Sequence, residues 1–183
     1  MGKKICILDY GLGNILSLKY ALSHLGYKNS FFNSENENKV FDCLIIPGVG
    51  SFSQAVELIK KKNLKNLIDK SIENNLLVIG ICLGMQILFK KGFENGESYG
   101  LDYFDGDVTK MSDKKIIKLP HIGWKKTSFF NDNVFNHYSG EKFYYVHSYE
   151  CKPLNQNDIL ADSKYNNKSF TAAVKKNNIL GFQ

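Results

Sequence analysis

Cys82 stands in the run Gly80-Ile81-Cys82-Leu83-Gly84, between an apolar stretch and a segment of helical spacing. This is the GxCxG form of a nucleophile elbow. A thiol is lifted on a sharp strand-to-helix turn, and the flanking glycines let strand and helix approach without Cβ clashes. A cysteine so placed stands at a helix N-terminus, whose partial positive charge is expected to favour thiolate. The Leu83 N–H would point to where an oxyanion forms on a carbonyl under attack. The competing reading is a buried structural cysteine at an ordinary junction, and the pentapeptide alone leaves the two in balance. A second glycine-rich turn, Pro47-Gly48-Val49-Gly50-Ser51-Phe52, closes another apolar stretch. Either its backbone presents N–H groups to a ligand, or it is a plain turn with Ser51 capping the helix that follows. Elbow and turn in combination read as a nucleophile facing an oxyanion strand. Cys6, Cys43 and Cys151 form no CxxC pair and lie too far apart in sequence for a zinc site, so they read as reduced cysteines, Cys6 and Cys43 within apolar runs. No metal and no cofactor is expected.

These residues need elements to hold them. Lys4 to Tyr10, Asp42 to Ile46 and Leu76 to Ile81 are apolar runs of strand length, and a shorter extended piece covers Tyr27 to Phe32. Between them the spacing predicts a helix from about Asn14 to Leu25, stopped by Gly26, and one long helix from Phe52 to about Glu73. Leu83 to Lys90 is expected to restart helically. Strand–helix alternation with continuous apolar strands points to a parallel sheet covered on both faces. Both glycine turns would then lie at the carboxyl edge of that sheet, where ligands bind. The C-terminal half reads as short β segments: Asp107 to Met111, Lys115 to Leu119, Thr127 to Phe130, Lys142 to Tyr149, Asp158 to Ser163 and Ser169 to Lys175. Asn177-Asn178 makes a tight turn into a last strand, Ile179 to Phe182. The expectation is one α/β domain over residues 1–183, with a mostly parallel central sheet flanked by helices and an antiparallel C-terminal elaboration.

Composition narrows the function classes. The chain has 183 residues, 43% hydrophobic and 23% charged, which is ordinary globular usage and excludes disordered and fibrous classes. Its longest apolar run falls far short of the ~20 residues of a membrane helix, and Asp9 interrupts the N-terminal run too early for a secretory signal. The reading is a cytoplasmic protein with no membrane partner. The net charge of +6 invites a nucleic-acid role, yet all 24 basic residues are lysine. The bidentate guanidinium fork on which base readout leans is absent, and the lysines are scattered, so no nucleic-acid partner is expected.

Gly80 to Gln86 with Pro47 to Phe52 resembles the class I, triad-type glutamine amidotransferases. Three further segments resemble, within that family, the glutaminase subunits of imidazole glycerol phosphate synthase: Asp9-Tyr10-Gly11-Leu12-Gly13-Asn14, Pro120-His121-Ile122-Gly123-Trp124 and Tyr145-Val146-His147-Ser148-Tyr149. The resemblance implies a flavodoxin-like fold and a glutaminase. Cys82 would attack the side-chain amide of L-glutamine to give a γ-glutamyl thioester and ammonia, and water would then release glutamate. It implies an oxyanion site at Leu83 and the Val49–Gly50 peptide, and a glutamine cradle of Gly50, Gln86, Glu94, His147, Ser148 and Tyr149. It implies a partner, a (β/α)8-barrel cyclase subunit facing Asn14, Lys118, His121 and Trp124, which uses the ammonia to make imidazole glycerol phosphate and AICAR in histidine biosynthesis.

Two places depart from the pattern. Lys125 stands where the family has asparagine, which weakens the interface inference. The family continues past the position of Gln183 into Phe-His-Pro-Glu, so the triad histidine and glutamate and a last strand and helix are expected beyond these residues. The 183-residue form is therefore expected to be C-terminally incomplete and impaired, since a cysteine without its base loses thiolate activation and leaving-group protonation. His24 and His137 fall far from the elbow, and the family uses His121 and His147 for other work. Three alternatives stay open: a paralogue that feeds ammonia to a sugar-amidating synthase for surface polysaccharide, a catalytically inactive partner-binding subunit, and a cysteine hydrolase with no ammonia acceptor.

Overall fold

The computed structural model describes residues 2–32, 40–111, 118–130, 132–166 and 168–183. In chain order the N-terminal half contains β1 (Lys4–Leu8), α1 (Ile15–His24), β2 (Lys28–Phe32), β3 (Cys43–Ile46), α2 (Phe52–Lys61), α3 (Lys65–Glu73), β4 (Leu77–Ile81) and α4 (Leu83–Gln86). There follow β5 (Phe89–Gly92), β6 (Ser98–Tyr99), β7 (Phe104–Lys110), β8 (His121–Phe129), β9 (Lys142–His147), β10 (Tyr149–Pro153), β11 (Ile159–Tyr165), β12 (Lys168–Lys176) and β13 (Ile179–Phe182).

Nine strands form one sheet in the order β2-β1-β3-β4-β13-β12-β11-β8-β9. The first five run parallel, and from β13 onward each pair is antiparallel. Side chains alternate across the parallel strands. Cys6, Leu8, Leu44, Ile46 and Val78 pack with α2 and α3, whereas Ile5, Ile7, Cys43 and Ile45 pack with Leu22 of α1. A second sheet, β10-β7-β5-β6, joins the α2–α3 side of the core through Phe89, Phe104, Val108 and Cys151. Among the described residues no helix is long and apolar enough to cross a membrane.

The structure corrects three element expectations. The long helix from Phe52 to Glu73 is two helices. The N–H of Leu64 returns to Ile59 O and that of Asn63 to Lys60 O, with Asn63 left-handed at φ 52°, which is a Schellman stop that turns Leu64 into the core. The helix expected from Leu83 to Lys90 is a single turn. Ile87, Leu88 and Phe89 are buried on every side, and their carbonyls accept from residues 101–104, so pairing with that segment replaces the helical ladder. The strand expected from Lys142 to Tyr149 divides at Ser148, with β9 in the large sheet and β10 in the small one. The segment Lys115 to Leu119 lies mostly outside the described residues.

Candidate active site

β3 and β4 are neighbouring parallel strands, with Ile46 opposite Gly80. The turn after β3 and the elbow after β4 therefore emerge side by side at the carboxyl edge. Their contact is backbone to backbone. A Cβ on Gly84 would collide with the carbonyl of Ile46, and one on Gly48 would come within 2.9 Å of Leu83 Cβ. Tyr10, fully buried, closes the turn from below by donating its hydroxyl to Pro47 O at 2.6 Å. Gly50 continues the turn at φ +120°, and Val49 is exposed.

Cys82 itself sits at φ 54°, ψ −113°, a conformation that costs a non-glycine residue about 1–3 kcal/mol. Two hydrogen bonds fix it there. Its N–H donates to Phe182 O at 2.7 Å, and its carbonyl accepts from Gln86 N at 3.1 Å. The helix end favours thiolate through the Leu83 N–H, as expected, but burial outweighs it. Helix α4 is one turn long, and burial pushes the Cys82 thiol pKa up, against the Leu83 N–H and the Gln183 side chain, which pull it down. The Leu83 N–H is thus turned toward sulfur. No histidine is among the groups acting on the thiol among the described residues.

Of the residues expected to cradle a ligand, Gln86 and Glu94 are tied to this edge by hydrogen bonds. Gln86 is buried and donates from Nε2 to Gln183 Oε1 at 3.0 Å. Glu94 Oε2 accepts from the Phe52 N–H at 2.8 Å, so it caps α2 from a distance of 42 residues, while Ser51 makes no side-chain cap bond. The Glu94 charge in turn raises the Tyr149 pKa, second to the effect of burial. His147 and Ser148 lie at the crossing between sheets. His147 Nδ1 is 2.8 Å from Tyr149 O, and Ser148 O accepts from Met111 N at 2.9 Å.

The four residues expected to face a partner divide. Trp124 is 65% exposed and packs edge to face on exposed Tyr144 of β9, with Ile122 and Val146 exposed beside them. Lys118 and Asn14 are exposed; the Asn14 side chain accepts from Ser17 N at 3.3 Å as the cap of α1, its structural reading. His121 is a correction. It is 0% exposed, stacked on Tyr145 and Tyr165, with Nδ1 3.0 Å from His147 Nε2. The strand alternation that turns Ile122 and Trp124 outward turns His121 inward.

Sequence reasoning missed Gln183, Tyr10 and Cys151. Gln183 donates from Nε2 to Cys82 Sγ at 3.6 Å. Cys151 is wholly buried, and its thiol pKa is raised well above the ordinary range by burial first and by Cys82 second. No local signal marks these residues, since each reaches the site through strand order. Among the described residues no group of three or more His, Cys, Asp and Glu side chains is placed to hold a metal ion.

A strained cysteine elbow backed by a glycine turn on a parallel sheet defines a class, and the comparisons agree with it. The glutamine amidotransferase class-I family model matches residues 6–183, and the chain belongs to that family. It is 36% identical over 183 residues to the imidazole glycerol phosphate synthase subunit HisH of Lactococcus lactis subsp. lactis (strain IL1403), covering 99% of this chain and 89% of that protein. The HisH subunit of Bacillus subtilis (strain 168) is 35% identical over 184 residues, covering 98% and 86%. Within its family the chain groups with these HisH subunits. Two solved structures share the fold: a glutamine amidotransferase (TM-score 0.73, 16% identity, 97% of this chain and 87% of that one) and PurLQS from Thermotoga maritima (TM-score 0.73, 19%, 100% and 86%).

Proposed function

We propose that this chain is the glutaminase subunit of a cytoplasmic imidazole glycerol phosphate synthase heterodimer in histidine biosynthesis. Cys82 Sγ bonds to the side-chain carbonyl carbon of glutamine, and the carbon–nitrogen bond breaks to release ammonia. Water then adds to the thioester, returning the thiol and glutamate. Leu83 N–H and the Val49–Gly50 peptide hold the oxyanion, the former by exchanging its bond to sulfur for one to oxygen. Gly50, Gln86, Glu94, His147, Ser148 and Tyr149 bind glutamine. Ammonia passes to a (β/α)8-barrel cyclase subunit that forms imidazole glycerol phosphate and AICAR. That subunit docks on the face of Trp124, with Asn14 and Lys118 nearer its rim. His121 acts from beneath this face.

The observation that carries the reading is the apposition of the strained Cys82 to the Pro47–Phe52 turn, with Gly84 packed on the Ile46 carbonyl. The test is glutamate release from L-glutamine with and without the cyclase subunit, for the wild type and for Cys82→Ser. The expected result is release that rises when the subunit is added and disappears in Cys82→Ser. Release unchanged by Cys82→Ser, or a chain that binds asparagine as well as glutamine, would overturn the reading.

A further inference from the structure

Gln183 directly follows β13 and has no part in the reaction as described so far. Its backbone N–H donates to Ala172 O at 2.9 Å, so pairing with β12 continues through it. β13 lies parallel to β4 with Phe182 opposite Ile81, which sets the residue after β13 against the residue after β4. Both ends of the Gln183 carboxamide are engaged. Oε1 accepts from Gln86 Nε2 at 3.0 Å, and Nε2 donates to Cys82 Sγ at 3.6 Å. With Gln86 donating from Nε2, the Gln183 amide turns its oxygen to Gln86 and its nitrogen to sulfur.

We propose that Gln183 is a further catalytic residue: its carboxamide, oriented by Gln86, donates an N–H to the Cys82 sulfur and holds it as the reactive thiolate. The reason is differential. A hydrogen bond to an anionic sulfur is charge-assisted and stronger than one to a neutral thiol, so a fixed donor favours the ionised form. Burial opposes ionisation at this position, and a helix of one turn contributes little against it. Among the described residues the Leu83 N–H and the Gln183 side chain are the donors acting on the thiol, and in the proposed reaction Leu83 must release sulfur to bind the oxyanion. Gln183 has no such second duty. The proposal rests on Cys82 being the nucleophile only for its catalytic meaning, since the ionisation of the thiol can be read without glutamine.

The experiment is the pH dependence of Cys82 alkylation by iodoacetamide on the folded chain, followed by peptide mass spectrometry. Cys6, Cys43 and Cys151 are buried, so Cys82 is the thiol expected to react first. In Gln183→Leu the midpoint moves up, and alkylation near neutral pH slows about threefold to tenfold, because the thiolate fraction below the midpoint falls in proportion as the midpoint rises. Gln183→Glu keeps the acceptor for Gln86 but loses the donor, so it should move the midpoint further in the same direction, and it tests the proposal should the leucine variant fail to fold. Gln86→Leu frees the amide and gives a partial upward movement. A wild-type profile in Gln183→Glu, or a midpoint that falls, overturns the proposal. A raised midpoint in a chain that never hydrolyses glutamine supports the proposal and overturns the glutaminase reading, so the two failures are distinguishable.

Discussion

His121 and His147 form a chain with one direction. His147 Nδ1 faces the Tyr149 carbonyl and must carry a proton, so its Nε2 accepts from His121 Nδ1. His121 Nε2 is then a bare lone pair, buried and with no partner among the described residues. A second proton on His147 would displace the His121 donor, and one on His121 Nε2 would bury a charge with no partner among the described residues. Burial lowers both pKa values, and for His121 the charges of His147 and then Lys125 add to burial to bring it to about 4. The unfolded chain protonates the same rings near pH 6.5. Stability is therefore expected to be complete above about pH 6.5 and to decline as pH falls toward about 4, because the unfolded state binds protons that the folded state refuses. Urea midpoints between pH 7.5 and 4.5 check this, and His121→Phe, which keeps the stacked ring, should flatten the slope. At this scale the sequence marked Cys82 as a candidate through its own pentapeptide, and Gln86 and Glu94 through resemblance. Gln183 stayed hidden because its partner Cys82 is 101 residues away, across a strand pairing that no local pattern encodes. His121 was misassigned with the segment around it, although the period of two in β8 separates it from Trp124.

Helix stops and glycine contacts decide how the elements meet. α1, α2 and α3 all end the same way, with Gly26, Asn63 and Asn75 left-handed after the last turn, and the N–H groups of Tyr27, Leu64 and Leu76 returning to Leu22, Ile59 and Ser71. Gly26 was legible as a stop. Asn63 was not, because the apolar spacing runs on across it, and only the inward turn of Leu64 separates the two helices. Asn63→Ala is expected to cost about 1–2 kcal/mol and Asn63→Gly nothing measurable, read from denaturant midpoints. Gly84→Ala should be more damaging, by at least about 1–3 kcal/mol, since the added methyl meets the backbone carbonyl of Ile46 and not a side chain that can move. Its activity should fall with its stability, because the same contact sets the turn against the elbow. On the β8–β9 hairpin the outward side chains carry no core packing. Trp124→Ala and Tyr144→Ala are expected to weaken association with the proposed cyclase subunit about tenfold or more while leaving the melting temperature unchanged, as titration calorimetry and a thermal scan would show.

Across the whole molecule, the parallel half was readable from its apolar strands and the expectation of an antiparallel second half held. The division of that half between two sheets was not readable. Residues 142–149 look like one strand in sequence, and the change of sheet at Ser148 comes from pairing with β7 on one side and β8 on the other. Hydrogen exchange should reflect the layering. Amides of β1, β3 and β4, inside the parallel sheet with helices packed on its two faces, are expected to exchange last, and those of the β8–β9 hairpin at its edge first. The exposed face of that hairpin has one more consequence. Trp124 is the single tryptophan among 183 residues, and it stands in water beside Tyr144. Excited beyond the tyrosine absorption band, the emission of this protein therefore originates from the surface proposed for docking. A shift of that emission to shorter wavelength as the partner is titrated in would report assembly directly, without any label.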